Sequence, residues 1–215
     1  MILLSLKLLV AYLLGSVSGS LLVGRSRGVD IRELGSGNAG GTNAFRTQGW
    51  RFAIAVVAID VSKGVLAALL GYLPGGAPTV PLAQALACGL AAAIGHVWPI
   101  YHGFRGGKGA ATLVGAQLVV LPGSIVLPLL VWVAVLGVTG YVGLATVCAG
   151  ASLVLSVLLF ATVATVKPLL GYATIYAALL AITHRANLMR VRAGTELRFE
   201  RARFLARWLG IRDVR

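Results

Sequence analysis

The sequence predicts an all-α fold, a polytopic integral membrane bundle of about seven transmembrane helices. Three observations predict it. Hydrophobic residues make up 58% of the 215 and charged residues 12%, with a mean hydropathy of +0.90; a water-soluble domain of this size could not bury so much apolar surface. The apolar residues run in stretches near span length, divided by glycine and proline. The basic residues behind the net charge of +13 gather in three regions instead of spreading over a surface, which points to membrane orientation and away from nucleic-acid binding.

The first stretch, residues 2–23, contains Lys7 and ends without an A-x-A-like site, so it reads as a retained span and not as a cleaved signal peptide. Further spans are expected near 52–72, 83–101, 109–121, 124–139, 142–163 and 168–183. Two of these, 109–121 and 124–139, are short for a crossing, and the "LPG" at 121–123 between them is a turn signal, so a re-entrant pair is the alternative there. The other breaks fall at "LPGGAPTVP" (73–81), "VTGYVG" (138–143) and "VKP" (166–168). Cys88 and Cys148 lie inside apolar runs with no second ligand nearby and read as packing residues.

Orientation follows from the basic residues, which resist translocation near span ends. Arg25, Arg27, Arg32, Arg46 and Arg51 lie in the first loop, Arg105 and Lys108 in the third, and nine arginines between Arg185 and Arg215. An outside N-terminus, seven crossings and a cytoplasmic C-terminus fit this distribution and gather all three regions on one face. The chain is one domain, with 199–215 as a basic amphipathic tail whose Phe204, Leu205, Trp208 and Leu209 would rest on the anionic leaflet.

The three basic regions also hold the polar, glycine-rich clusters. In "ELGSGNAGGTNAFRTQG" (33–49), Gly35, Gly37, Gly40 and Gly41 permit N–H groups to curl toward an anion. Ser36, Asn38, Thr42 and Asn43 add neutral donors, and Arg46 adds a planar fork suited to phosphate. In "GHVWPIYHGFRGGKGAAT" (95–112), Gly106, Gly107 and Gly109 surround Lys108. The spacing fails the Walker pattern, but a glycine turn that leads into a helix still favours an anion. His96 reads as a span-end histidine with a satisfied ring, His102 carries no clear assignment, and Trp98 and Tyr101 fit an interfacial aromatic belt. In "THRANLMRVRAGTELRF" (183–199), His184, Asn187 and Arg190 recur at helical spacing on one face, and Glu196 is expected to pair with an arginine. Asp60 and Lys63, three apart inside an apolar stretch, read first as a mutual ion pair, with Lys63 also able to reach a substrate phosphate.

Taken together, "GSGNAGGTN" with Arg46, "GHVWP" through "GFRGGKGAAT", and "HRANLMRVRAGTE" resemble the three signature motifs of the PlsY family of bacterial acyl-phosphate:glycerol-3-phosphate acyltransferases. The resemblance spans nearly the whole chain, including Asp60 and Lys63. It implies transfer of a fatty acyl group from acyl phosphate to the 1-hydroxyl of glycerol 3-phosphate, giving lysophosphatidic acid and phosphate in the inner membrane. No cofactor, CoA thioester, metal or nucleic acid takes part. The implied partners are acyl phosphate, glycerol 3-phosphate, membrane lipid and an acyl-phosphate-forming enzyme.

By motif, Ser36, Arg46, Lys108, His184 and Asn187 are the implied catalytic residues. Gly106, Gly107 and Gly109, with Gly37, Asn38, Gly40, Thr42, Asn43 and Lys63, would bind substrate phosphate, and Glu196 and Asp60 would be structural. The chain departs from the family where Gly41 replaces an alanine, and where Gly140 and Gly143 replace an arginine and a serine; Thr146 keeps a hydroxyl near that loop. The competing classes are a carrier or channel for an anionic metabolite, which would line a path across the midplane with charge, and a divergent lipid-phosphate enzyme.

Overall fold

The computed structural model describes residues 2–74 and 81–210, which form helices and turns with no strand among them. The helices are α1 (Ile2–Gly15), α2 (Gly19–Arg25), α3 (Gly41–Gln48), α4 (Trp50–Tyr72), α5 (Pro81–Val97), α6 (Ala110–Val120), α7 (Val126–Thr139), α8 (Val142–Phe160), α9 (Val166–Thr183), α10 (Arg185–Arg192) and α11 (Phe204–Trp208). Most of the expected break at 73–81 lies outside the described residues, as do 211–215 of the tail.

All seven apolar stretches are helical, but they are not equally able to cross a membrane. Among the described residues five helical stretches have the length and hydropathy, and α1 with α2 makes a sixth if that pair, bent by 47°, is one span. Helix α6 has 11 residues, about 16 Å at 1.5 Å per residue, against about 30 Å of hydrocarbon. By length alone the expected seven spans therefore become five or six. The chain forms two compact units that meet at Pro122 and Gly123, in the "LPG" turn.

The first unit is assembled through glycine. A Cβ on Gly64 of α4 would strike the Thr112 carbonyl of α6, and one on Gly115 of α6 would strike the Val61 carbonyl of α4. Gly15 and Gly95 bring α1 and α5 together in the same reciprocal way, against the backbone of Ala92 and Tyr12. Apolar side chains gain little by leaving lipid for protein, so close backbone approach between small residues is what drives such pairing. Cys88 packs with Ala11, Ala67 and Ala92 at this junction, while Ile54, Leu66 and Leu69 point outward from α4. Lys7, an anomaly in an apolar span, is buried with its ammonium on the Leu73 carbonyl (2.6 Å) and Gln84 Oε1 (3.0 Å). It donates to carbonyls at the end of α4.

In the second unit α8 packs between α7 and α9, with Gly150 of α8 against Leu180 of α9. Ser156 Oγ donates to the Ser124 carbonyl at 2.6 Å, satisfying backbone in the turn before α7. The tail differs from expectation. Its helix is the short α11, and Leu205 and Phe204 lie against Gly137 of α7. Ala206 is buried, whereas Trp208 is 81% exposed. Phe204 (48%) and Leu209 (55%) stay exposed with Trp208, so of the apolar face expected to meet lipid only Leu205 is partly covered by the protein.

Candidate functional site

In the first unit, the loop before α3 is folded around one amide. Asn43 is 1% exposed; its Nδ2 donates to the carbonyls of Ile31 (3.0 Å) and Leu34 (2.9 Å), and its Oδ1 accepts from the Ser36 N–H (3.0 Å). Both amide hydrogens and the amide oxygen are thus committed to backbone, which makes Asn43 the anchor of the loop instead of the phosphate ligand expected. Gly35 (φ +58°) and Gly37 (φ +70°) take left-handed conformations on either side of Ser36. The loop opens with a turn in which Asp30 accepts from the Arg32 N–H (2.9 Å) and pairs with its guanidinium (2.7 Å). The Arg32 hydrogen bonds hold the Asp30 carboxyl below its ordinary range. Arg32 also donates to the His102 carbonyl (3.1 Å), tying this loop to the one before α6. Ser36 and Thr42 are exposed, and Gly37, Asn38 and Gly40 line the approach to α3. Gly41 packs on Val57, and Arg46, half-buried, stands in the last turn of α3.

Beneath this loop lies a buried ionic cluster at the break between α1 and α2. Lys63 Nζ is 2.9 Å from Asp60 Oδ1, 2.8 Å from the Val17 carbonyl and 2.7 Å from His96 Nδ1. Asp60 Oδ1 also accepts from the Gly19 N–H at 3.2 Å. A broken helix inside a membrane leaves a carbonyl and an N–H without partners, and here the ion pair satisfies one of each. The expected pairing of Asp60 with Lys63 is therefore present. The reach of Lys63 to a phosphate is not, because its three ammonium hydrogens already have protein acceptors. With Lys63 charged, His96 Nδ1 accepts from its ammonium; Nδ1 also lies 3.3 Å from Asp60 Oδ1.

The glycine-rich segment before α6 also departs from expectation. Gly106 N–H donates to the Val97 carbonyl (3.2 Å) and Gly107 N–H to the His96 carbonyl (3.0 Å). These two groups close the end of α5 and do not curl toward an anion. A Cβ on Gly106 would collide with the His96 carbonyl, and one on Gly107 with His96 Nε2, so the glycines are needed for close approach. The same Cβ on Gly107 would stand 3.0 Å from the Ala39 carbonyl, which shows how near the two glycine loops come. Gly109 (φ +86°) starts α6. The first N–H groups of α6 have no acceptor within the helix. Lys108, half-buried, stands just before them.

The second unit carries the third cluster. His184 sits at the junction of α9 and α10, 5% exposed. Its Nδ1 lies 2.8 Å from the Leu180 carbonyl, which can only accept, so the ring proton is on Nδ1 and Nε2 is the basic nitrogen. Asn187 Nδ2 donates to Glu196 Oε1 (2.7 Å), and Arg190 Nε donates to Glu196 Oε2 (2.7 Å). Glu196 thereby orders both residues of α10, as its expected pairing with an arginine requires. Gly143 lies against Asn187, whose Cβ would be 2.7 Å from a side chain there, so glycine makes room for α10. The Thr146 hydroxyl donates to the Val142 carbonyl (2.9 Å) and accepts from Trp132 Nε1 (3.3 Å). At Gly140 (φ +74°), the stem of Arg203 covers the turn and the Phe199 N–H donates to the Gly140 carbonyl (2.8 Å). Beside it, the Arg198 guanidinium lies over the Tyr141 ring and donates to its hydroxyl (2.8 Å).

His96 stands in the last turn of α5 with its ring bonded to Lys63, the span-end histidine with a satisfied ring that the sequence suggested; its partner is what the sequence did not name. Among the described residues no three His, Cys, Asp or Glu side chains converge where a metal ion could sit.

Apolar helices, a buried ionic cluster at a helix break and glycine loops that lead into helix starts define a multi-pass membrane protein. Residues 5–194 match the family model of glycerol-3-phosphate acyltransferase. The chain belongs to that family. It is 40% identical over 192 residues to a glycerol-3-phosphate acyltransferase of Geobacter sulfurreducens, covering 89% of this chain and 95% of that protein. The corresponding Bacillus velezensis protein is 44% identical over 145 residues, with 67% and 72% covered. The match to the Chlorobaculum parvum protein, 41% over 148 residues, covers 64% of this chain and 62% of that longer protein. Among solved structures, PlsY, an integral membrane glycerol 3-phosphate acyltransferase in its glycerol 3-phosphate form, superposes with a TM-score of 0.82 at 31% identity, covering 97% of this chain and 99% of that one. The lysophosphatidic acid form gives 0.81, with 94% and 98% covered.

Proposed function

We propose that this protein transfers a fatty acyl group from acyl phosphate to the 1-hydroxyl of glycerol 3-phosphate, releasing lysophosphatidic acid and phosphate. The observation that carries the reading is the superposition along nearly the whole chain on a PlsY in its glycerol 3-phosphate form. In the reaction the hydroxyl oxygen attacks the acyl carbonyl carbon, the bond from that carbon to the phosphate oxygen breaks, and phosphate leaves with the electron pair. The leaving group is already good, so the protein's work is to hold two anions and an oxyanion in place. The start of α6 with Lys108, and α3 with Arg46 and the Ser36 loop, are the proposed phosphate-binding elements. His184 Nε2 is the proposed acceptor of the hydroxyl proton, a substrate phosphate oxygen being the other possible acceptor. Asn187, ordered by Glu196, is its proposed companion.

The basic-residue bias supports an inner-membrane protein with its N-terminus outside and these loops on the cytoplasmic face, where soluble glycerol 3-phosphate, and an enzyme that forms acyl phosphate, would reach them. Purified protein given glycerol 3-phosphate with either acyl phosphate or acyl-CoA tests the reading. Lysophosphatidic acid should form from acyl phosphate. None from either donor refutes the acyltransferase assignment, and formation from acyl-CoA alone refutes the donor.

A further inference from the structure

His96 is buried, at 4% exposure, and belongs to none of the roles given above. Its ring is gripped from one side and presses on the other. Lys63, itself fixed by Asp60 and the Val17 carbonyl, donates to Nδ1 at 2.7 Å, which leaves the ring proton on Nε2. That Nε2 edge fills the space where a Gly107 side chain would be. The His96 carbonyl meanwhile accepts the Gly107 N–H at 3.0 Å. One residue thus holds Gly107 twice, by backbone and by ring. Gly107 is the residue before Lys108 and two before Gly109, which starts α6.

We propose that His96 is a positioning residue for glycerol 3-phosphate binding: oriented by the buried pair of Asp60 and Lys63, its ring edge sets the path of Gly107 and so the placement of Lys108 and the first N–H groups of α6. The inference rests on the function proposed above. A displacement of the order of an ångström in a group that binds substrate weakens its action severely, and the ring is the nearest side chain to the open face of Gly107, with the Ala39 carbonyl next.

Two isosteric substitutions separate the ring's two edges. The oxygen of His96→Asn overlays Nδ1 and keeps an acceptor for Lys63, but removes the edge against Gly107. The amide nitrogen of His96→Gln overlays Nε2 and restores that edge. With the full chain in detergent, glycerol 3-phosphate is varied at saturating acyl phosphate, then the reverse, and thermal unfolding is followed in parallel. His96→Asn should raise KM for glycerol 3-phosphate by about tenfold or more, with KM for acyl phosphate and the unfolding temperature unchanged, and His96→Gln should recover much of the loss. An unchanged KM for glycerol 3-phosphate in His96→Asn overturns the proposal, as does a rise in both KM values together with a lower unfolding temperature. Should His96→Asn fail to fold, Gly107→Ala perturbs the same contact from the other side and must show the same selective rise. A wild type that forms no lysophosphatidic acid removes the function and this inference with it; an active wild type with unaffected variants removes the inference alone.

Discussion

Replacing Lys63 by methionine keeps the length of the side chain and removes its charge. In the wild type the ammonium is 3% exposed and its hydrogens go to Asp60, Val17 and His96. The variant leaves the Asp60 carboxylate, 1% exposed, with the Gly19 N–H as its remaining donor among these contacts, and strips the Val17 carbonyl of its partner. Removing one member of a buried ion pair costs about 3–5 kcal/mol, and an orphaned carbonyl costs about 1–3 kcal/mol in its own right. The two terms overlap, so about 3–5 kcal/mol is the expected loss. At about 2–4 °C per kcal/mol for a chain of this size, unfolding followed by intrinsic fluorescence in detergent should move down by about 6–20 °C. Adding Asp60→Asn removes the stranded carboxylate, so the double variant should be more stable than Lys63→Met alone. A loss below about 1 kcal/mol for Lys63→Met, or a double variant less stable than the single, would refute the view that this pair satisfies the helix break.

Further outcomes follow from the other contacts. Glu196→Ala should cost more stability and activity than Arg190→Ala, because the bond to Asn187 is charge-assisted, worth about 1.5–3 kcal/mol, whereas Arg190 is 45% exposed and its pairing is worth about 0–1 kcal/mol; unfolding and turnover of the two variants check the order. Gly115→Ala, which drives a Cβ into the Val61 carbonyl, should separate α4 from α6 and cost about 1–3 kcal/mol, read from thermal unfolding. Because Arg32 lowers the Asp30 carboxyl, the turn it caps is stabilised at any pH above the ordinary carboxyl range, and that stability is lost as pH falls through the lowered folded value. Hydrogen exchange of amides 31–43 should accordingly be insensitive to this group between pH 5 and 8, and Asp30→Asn should speed it throughout.

The helices were legible because hydropathy and glycine or proline punctuation are local signals, and so were the pairing of Asp60 with Lys63 and that of Glu196 with an arginine, though not with which one. What escaped depends on contacts far apart in sequence. His96 sits at a span end with a satisfied ring, as it read, but its partner could not be named because that partner lies on α4, 33 residues earlier. Gly106 and Gly107 have the composition of a phosphate loop, but the direction of their N–H groups is set by the exposed carbonyls of α5, which no composition reveals. Asn43 looked like a ligand for the same reason: an amide in a glycine loop can face outward or inward, and the Ile31 and Leu34 carbonyls decide it. The short α6 was visible as a short apolar run, yet a count of such runs takes no account of depth.

The bend between α1 and α2 has a consequence for how the chain is made. Its open backbone groups are met by Asp60 and Lys63, more than forty residues downstream, so while the chain is being synthesised the N-terminal segment enters the bilayer before its supporting helix exists. At that stage an unbroken helix is the form that leaves no polar backbone facing lipid. The bend is then expected to form when α4 docks. Stalled chains that end before Asp60 should show cysteines at 16–18 protected like those of a straight span, and chains extended past α4 should not; equal labelling at both lengths would mean that the break forms without its partner.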